Sequence, residues 1–176
     1  MLKSQSLLFV FCFPLFLFGQ TTNPNTKHYI GEKFGGGIVL YVDETGQHGL
    51  IAAPQDQSTG IKWGCAHRRI EAKDLNNGQA NTKIIIENCG KNTAADLCGS
   101  LKIGEYNDWY LPAVSELMLL YQQRMKIEGL TSGDYCSSTE YLKGGNDCWA
   151  VHFGPSGRGF HYNKSEHYCV RAIRKF

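Results

Sequence analysis

Three groups of residues in this chain have side chains and spacing that could do chemistry. In Gly144-Gly145-Asn146-Asp147-Cys148-Trp149, with Glu140 shortly before, two carboxylates and an amide carbonyl gather around one turn. Hard oxygen ligands of this kind suit calcium, so a site on Glu140, Asn146 and Asp147 is one expectation. A plain turn, which Gly-Asn-Asp forms unaided, is the other. In CWAVHFGPSGRGFHYN, setting Phe153 opposite Phe160 puts His152 opposite His161, with Cβ atoms ~5 Å apart. That pair would hold a transition metal if His167 or Glu166 supplied a third ligand. The same register puts Trp149, Val151, Phe153, Phe160 and Tyr162 on a core face, and the histidines are otherwise its polar reverse. The third group is Trp63, His67, Arg68 and Arg69 in one loop, with Arg158 at the tip of GPSGRG. Aromatic faces stack on sugar rings, and Arg pairs bidentately with sulfate or carboxylate, so this group, with the Glu140–Trp149 loop (Glu140, Asn146, Asp147 and Trp149), is the candidate surface for an acidic polysaccharide. A solvated loop is the simpler reading of it.

Enzyme chemistry has less support. Ser137, Ser138 and Thr139 are hydroxyls with no recognisable base beside them, and no GxSxG occurs. The Gly35-Gly36-Gly37 run lacks a following Lys-Ser/Thr and opens a strand, which argues against a phosphate loop. No CxxC pair or His-x₃-His cluster points to structural zinc. The net charge of +2 is too small for a nucleic-acid or membrane-surface footprint. A binding domain without enzymatic activity is therefore expected.

The elements that must position these residues begin after a leader. Lys3 precedes the apolar run Leu7–Phe18, which is too short to span a bilayer. Leu17 and Gly19 suit cleavage after Gly19, so residues 1–19 read as a signal peptide, with a retained N-terminal anchor as the alternative. That predicts a secreted or cell-surface protein with no stable membrane insertion once the leader is removed. Residues 20–27 are polar and aperiodic, a flexible tether, and residues 28–176 form one domain. Beyond the leader the chain keeps Cys65, Cys89, Cys98, Cys136, Cys148 and Cys169, an even set that implies disulfides in an exported protein.

Ile38–Val42, the turn DETGQHG and Leu50–Ala53 read as a hairpin. Ala80, Ile84 and Asn88 are helically spaced before the stop signal Gly90, although the three isoleucines also allow a short strand. Thr93 can cap a second helix with Ala94, Leu97, Cys98 and Leu101 on one face. In DWYLPAVSELMLLY, Val114, Leu117, Met118 and Tyr121 mark an amphipathic helix. Pro112 suits its first turn and Glu116 its dipole. Packing accounts for that stretch better than a catalytic Asp108 or Glu116. Short strands parted by glycine turns follow, giving an α+β class overall.

Several segments come in a familiar order: GEKFGGGIVLYVDETGQHGLIAAP, STGIKWGC, GQANT, DWYLPAVSEL, SSTE and VRAIR. Together they resemble the Lcl C-terminal-like domain family, over about His28 to Phe176. The resemblance implies a C-type-lectin-like fold with an N-terminal hairpin, two to three helices and a small twisted antiparallel sheet. It also implies an adhesin-like role on an extracellular polysaccharide or surface protein, with calcium as a possible cofactor. The alternative is a structural or protein–protein interaction module of the cell envelope. By the same resemblance Cys98 bonds Cys169, with Cys136–Cys148 and Cys65–Cys89 as the other bridges. The family's Ser or Thr after Leu-Pro is Ala113 here, and loss of such a helix cap costs ~1 kcal/mol.

Overall fold

The structure is a computed structural model and describes residues 26–176. The leader and most of the tether lie outside the described residues. Two sheets and three helices make up the described part. The first sheet has the order β1 (Lys33–Phe34), β2 (Gly37–Val42), β3 (Gly49–Ala52), β9 (Ile173–Lys175). The second runs β4 (Ser58–Lys62), β8 (His167–Val170), β5 (Asp134–Tyr141), β6 (Asp147–His152), β7 (Gly159–Asn163). The α+β class is as expected. So are the N-terminal hairpin and three helices, but the hairpin joins β9 in a sheet of its own, and the other sheet is not wholly antiparallel: β5 runs parallel to β8, with Tyr135 opposite Cys169. Just past β4 and β7, Trp63 N–H donates to the Lys164 carbonyl at 3.2 Å, so the second sheet curls towards closure.

Local signals fix the helices. Asn77 Oδ1 accepts from Ala80 N–H to start α1 (Gly78–Cys89), and Gly90 ends it at φ 71°, a left-handed conformation that favours glycine. The three isoleucines are therefore helical, and only Ile85 is fully buried. Thr93 Oγ1 accepts from Asp96 N–H and starts α2 (Ala94–Gly99), which turns Cys98 into the core as expected. α3 (Val114–Gln122) begins at Ala113, which has no side-chain acceptor. Thr139 Oγ1 reaches over from β5 and takes Val114 N–H at 3.1 Å, supplying the missing cap from another strand. Glu116 closes the other half by accepting from Ala113 N–H at 2.8 Å.

The core has two compartments, one on each side of β5 and β6. Cys136, Cys148 and Ala150 face a cluster with Trp63, Ile85, Cys98 and Leu111. Tyr135, Val151 and Phe153 face a second cluster with Leu117, Leu120 and Cys169. A strand buried on both faces shows no clean alternation of polar and apolar residues. This division also corrects the disulfides. Cys65–Cys89 is formed, while Cys98, Cys136, Cys148 and Cys169 are buried free thiols. Cys98 and Cys169 lie in different compartments, so no bridge joins them. Cys136 faces Ala150 and Cys148 faces Glu140, with an irregularity in β5 between, so the expected Cys136–Cys148 bridge is also absent.

Candidate functional site

Each of the three residue groups singled out by spacing is rearranged in the fold. Glu140 is 1% exposed, and its carboxylate is committed internally. It accepts from Ile70 N–H at 3.1 Å and Glu71 N–H at 2.8 Å, and it pairs with the equally buried Lys164 ammonium. Asp147 Oδ2 instead holds His161 Nδ1 at 3.0 Å. Glu140, Asn146 and Asp147 therefore do not converge as calcium ligands, because Glu140 points into the core and Asp147 points outwards.

The histidine pair fails on register. β6 and β7 pair with Trp149 opposite His161 and Ala150 opposite Phe160, three residues away from the expected alignment. An odd shift reverses which face each side chain takes. Trp149 thus leaves the expected core face and joins His161 outside. His152 pairs with Asp134 at 2.7 Å, separately from His161. Among the described residues, no three His, Cys, Asp or Glu side chains are placed to hold a metal.

Trp63 is a core residue rather than a ligand contact. It is fully buried, donates Nε1–H to the Ser137 carbonyl at 2.8 Å, and lies under the Lys164 ammonium. Its loop neighbours are exposed but individually restrained. Arg68 bonds the Asn88 side chain at 3.0 Å, and Arg69 Nε meets Glu71 at 2.6 Å. Arg158 is exposed at the β6–β7 turn, set over the Phe160 ring and so on the face of β7 opposite His161.

The fold does unite two of the predicted loops. Lys164 donates to the carbonyls of Arg68 (2.8 Å) and Gly145 (2.9 Å) as well as to Glu140. One buried ammonium thereby clamps the 65–71 loop against the β5–β6 turn. Cys65, His67 and Glu71 all take positive φ, 49°, 62° and 63°. Such positions cost about 1–3 kcal/mol each and persist where the surroundings over-determine them. Here the restraints are the Cys65–Cys89 bridge, the Arg68–Asn88 bond, and the Glu140 and Lys164 bonds to the loop's main chain.

On the opposite face of β5–β7 from Glu140 and Cys148 is an aromatic face open to solvent. The Tyr141 and His161 rings stack at 4.0 Å and 5°, and Trp149 stands edge-on to Tyr141 at 5.3 Å. Asp147 orients the imidazole. An adjoining recess of about 250 Å³ is lined by Lys73, Leu75, Tyr141, Leu142, Lys143 and Trp149. Sequence reasoning found Trp149, Asp147 and His161 but missed Tyr141, Lys73 and Lys143. The missed signal is local: pairing outwards from the Gly-Gly-Asn turn sets Tyr141 opposite Asp147. A larger cleft of about 360 Å³ lies between Tyr41, Leu50, Leu119 and Phe176, with Glu116 in its wall. Burial pushes the Glu116 carboxyl up, but the group is saturated by Ala113 N–H, Tyr110 O–H and Gly78 N–H.

The segments SSTE, DWYLPAVSEL and VRAIR tie elements together. Within Ser137-Ser138-Thr139-Glu140, Thr139 caps α3 and Glu140 grips the 70–71 main chain. Asp108 is held bidentately by Arg174, at 2.7 and 3.0 Å, and its carboxyl is lowered by that hydrogen bond. Arg171, fully buried, pairs with Asp56 at 2.8 Å and donates to the carbonyls of Ala53 and Gly129. The free thiols are pushed up by burial, Cys148 to about 12, which disfavours the nucleophilic thiolate.

Fold and surface together define a disulfide-bridged α+β domain with a restrained basic loop and an open aromatic face. The model of the Lcl C-terminal domain family matches residues 53–174, and the chain belongs to that family. The β1–β3 strands precede the matched region. No curated protein matches the chain. No helix among the described residues is long and apolar enough to cross a membrane.

Proposed function

We propose that this is an exported, adhesin-like binding domain whose ligand is a glycan, with an acidic polysaccharide favoured. The observation that carries this reading is the Tyr141–Trp149–His161 face, solvent-open and flanked by Lys73 and Lys143. Flat aromatic rings stack on the apolar faces of sugars, and nearby cations complement sulfate or carboxylate. The clamped 65–71 loop holds His67, Arg68 and Arg69 as a second basic surface, tied through Lys164 to the β5–β6 turn, with little ordering left to occur on binding. Export fits the Cys65–Cys89 bridge and the apolar run near the N-terminus. A C-type-lectin-like arrangement is supported by the first sheet, where β1–β3 and the final strand β9 lie together and Phe34 meets Phe176 at 5.4 Å.

Exposed Leu75 and Leu142 beside the same face favour a second reading, a surface-protein partner docking there. A glycan array probed at low and high salt, with calcium and with EDTA, separates the two. The glycan reading expects binding to sulfated or uronate-rich glycans that weakens with salt and survives EDTA. Silence across neutral and acidic glycans would sink it.

A further inference from the structure

The two sheets end in four edge strands, and three of them are protected. β1 has only two residues. β9 has three, including Arg174 and Lys175, and its Ile173 is bridged to Tyr110. β4 is broken in register between Ser58 and Ile61 and ends in Lys62. Short length, lysines and bulges are the usual devices that stop edge-to-edge association. β7 has none of them. Gly159-Phe160-His161-Tyr162-Asn163 contains no Lys, Arg, Asp, Glu or Pro, and it pairs with β6 in unbroken register over all five residues.

The main-chain groups at this edge can be assigned. His152 N–H donates to the Arg158 carbonyl, and Lys164 N–H donates to the Asn146 carbonyl. Residues 158 and 164 thus face β6, and strand alternation places 160 and 162 with them. Gly159, His161 and Asn163 turn their main-chain groups outwards. The Asn163 carbonyl is taken by Glu166 N–H and Tyr168 O–H. The outward groups of Gly159 and His161, and the Asn163 N–H, face solvent.

We infer that the β7 edge is a self-association surface, joining two copies of this chain antiparallel about a two-fold axis at His161. The strand is self-complementary in that register. His161 exchanges N–H···O bonds with its equivalent, and Asn163 N–H meets the Gly159 carbonyl of the second copy. Phe160 lies opposite the second copy's Tyr162, and by symmetry the reverse, giving two aromatic cross-strand pairs on one face. Phe160 is 36% exposed, more than expected of a large apolar side chain on a core-facing row. No Lys, Arg, Asp or Glu lies within the paired strand to oppose its own kind. An isologous contact of this type closes on itself and stops at a dimer. The two Tyr141–Trp149–His161 faces would then lie side by side on one continuous sheet. That last consequence rests on the proposed function; the dimer does not.

Sedimentation equilibrium of the purified protein tests the inference without any ligand. A reversible monomer–dimer equilibrium is expected. Gly159→Pro sets the proline ring on the outward edge, where it obstructs the second strand, and keeps the inward bonds of Arg158 and Phe160, while Phe160→Lys puts a charge in the aromatic pairs. Each is expected to raise the dimer Kd by about tenfold or more, with monomer melting temperature nearly unchanged. Slower amide exchange at His161 with rising protein concentration would support the same edge. A chain that stays monomeric at all accessible concentrations overturns the inference. So does a dimer that folded Phe160→Lys leaves intact, even if Gly159→Pro fails to fold.

Discussion

Lys164 meets Glu140 in the interior with neither side chain exposed to solvent, and the pair holds two surface loops in place. The energetics of such a pair are asymmetric. Burying both charges costs nearly as much as their attraction returns, yet removing one partner strands the other. Lys164→Met and Glu140→Gln are each expected to destabilise the fold by about 3–5 kcal/mol. The double variant should cost less than the sum of the singles, and chemical denaturation of all four proteins in a double-mutant cycle measures the difference. An additive result would show that the ammonium and carboxylate act independently.

Trp63 and Trp149 should separate stability from binding. Trp63 fills the first core compartment, so Trp63→Ala is expected to cost about 3–5 kcal/mol and to abolish folding or lower the melting temperature steeply. Trp149 stands on the open face, and Trp149→Ala or Tyr141→Ala should lose glycan binding by roughly tenfold while costing far less stability. Melting curves beside array or calorimetric binding data decide this. Equal destabilisation by Trp63→Ala and Trp149→Ala would refute the assignment of Trp149 to a functional face.

The sequence was most legible where structure is local. Thr93, Gly90 and the spacing of Val114, Leu117 and Met118 announce their helices because caps and amphipathic faces depend on neighbours within a turn or two. The hairpin around Asp43–Gly49 is legible for the same reason. Register was not legible. β6 carries apolar side chains on both faces, Ala150 on one and Trp149 and Val151 on the other, so apolar alternation gives no phase, and the Gly-rich β6–β7 turn admits more than one pairing. The resulting three-residue error moved Trp149 and separated the two histidines. Long-range ties were equally hidden. Nothing near Ala113 reveals that Thr139 replaces its missing hydroxyl, and nothing near Glu140 reveals Lys164. The chemical look of Glu140 and Trp63 suited a ligand site, but both serve the interior that supports one.

Thr139 offers a direct check on that replacement. Thr139→Val keeps the shape and removes the Oγ1 that accepts from Val114 N–H and donates to the Asp74 carbonyl. Loss of a helix cap costs about 1 kcal/mol, and an unpaired carbonyl adds to it. The expected loss is roughly 1–3 kcal/mol by denaturant titration. Restoring the cap locally with Ala113→Ser should recover part of it in the Thr139→Val background, and should add less in the native chain.

Asp108 contributes to the acid limb of stability. The Arg174 hydrogen bond holds its carboxyl below the ordinary 3.8, so the folded state favours the ionised form. Its contribution is therefore present above about pH 4 and is lost as pH falls through the lowered folded value. The carboxylate is partly exposed, so screening keeps the effect small. Asp108→Asn should lower the melting temperature at neutral pH, and the difference from the native chain should shrink as pH falls through the lowered folded value. A variant equally destabilised at neutral and acid pH would mean that packing of Arg174 on Tyr106, at 4.2 Å, carries the stabilisation instead.

The thiols give the last test, and it bears on compartment as well as chemistry. Cys98, Cys136, Cys148 and Cys169 are buried, and burial raises all four thiols. A thiol reagent reacts through the thiolate and needs access, so both factors protect them in the native state. With the chain starting at Gln20, a chromogenic thiol reagent should find no reactive group in the folded protein. It should find four after denaturation without reductant, and six once Cys65–Cys89 is also reduced. A count of two in denaturant would reveal one further bridge, and Cys136–Cys148, both in the first compartment and on adjacent strands, would be its first assignment. A fast-reacting thiol in the native protein would reopen cysteine-based catalysis, because it would require an accessible thiolate that this packing does not provide.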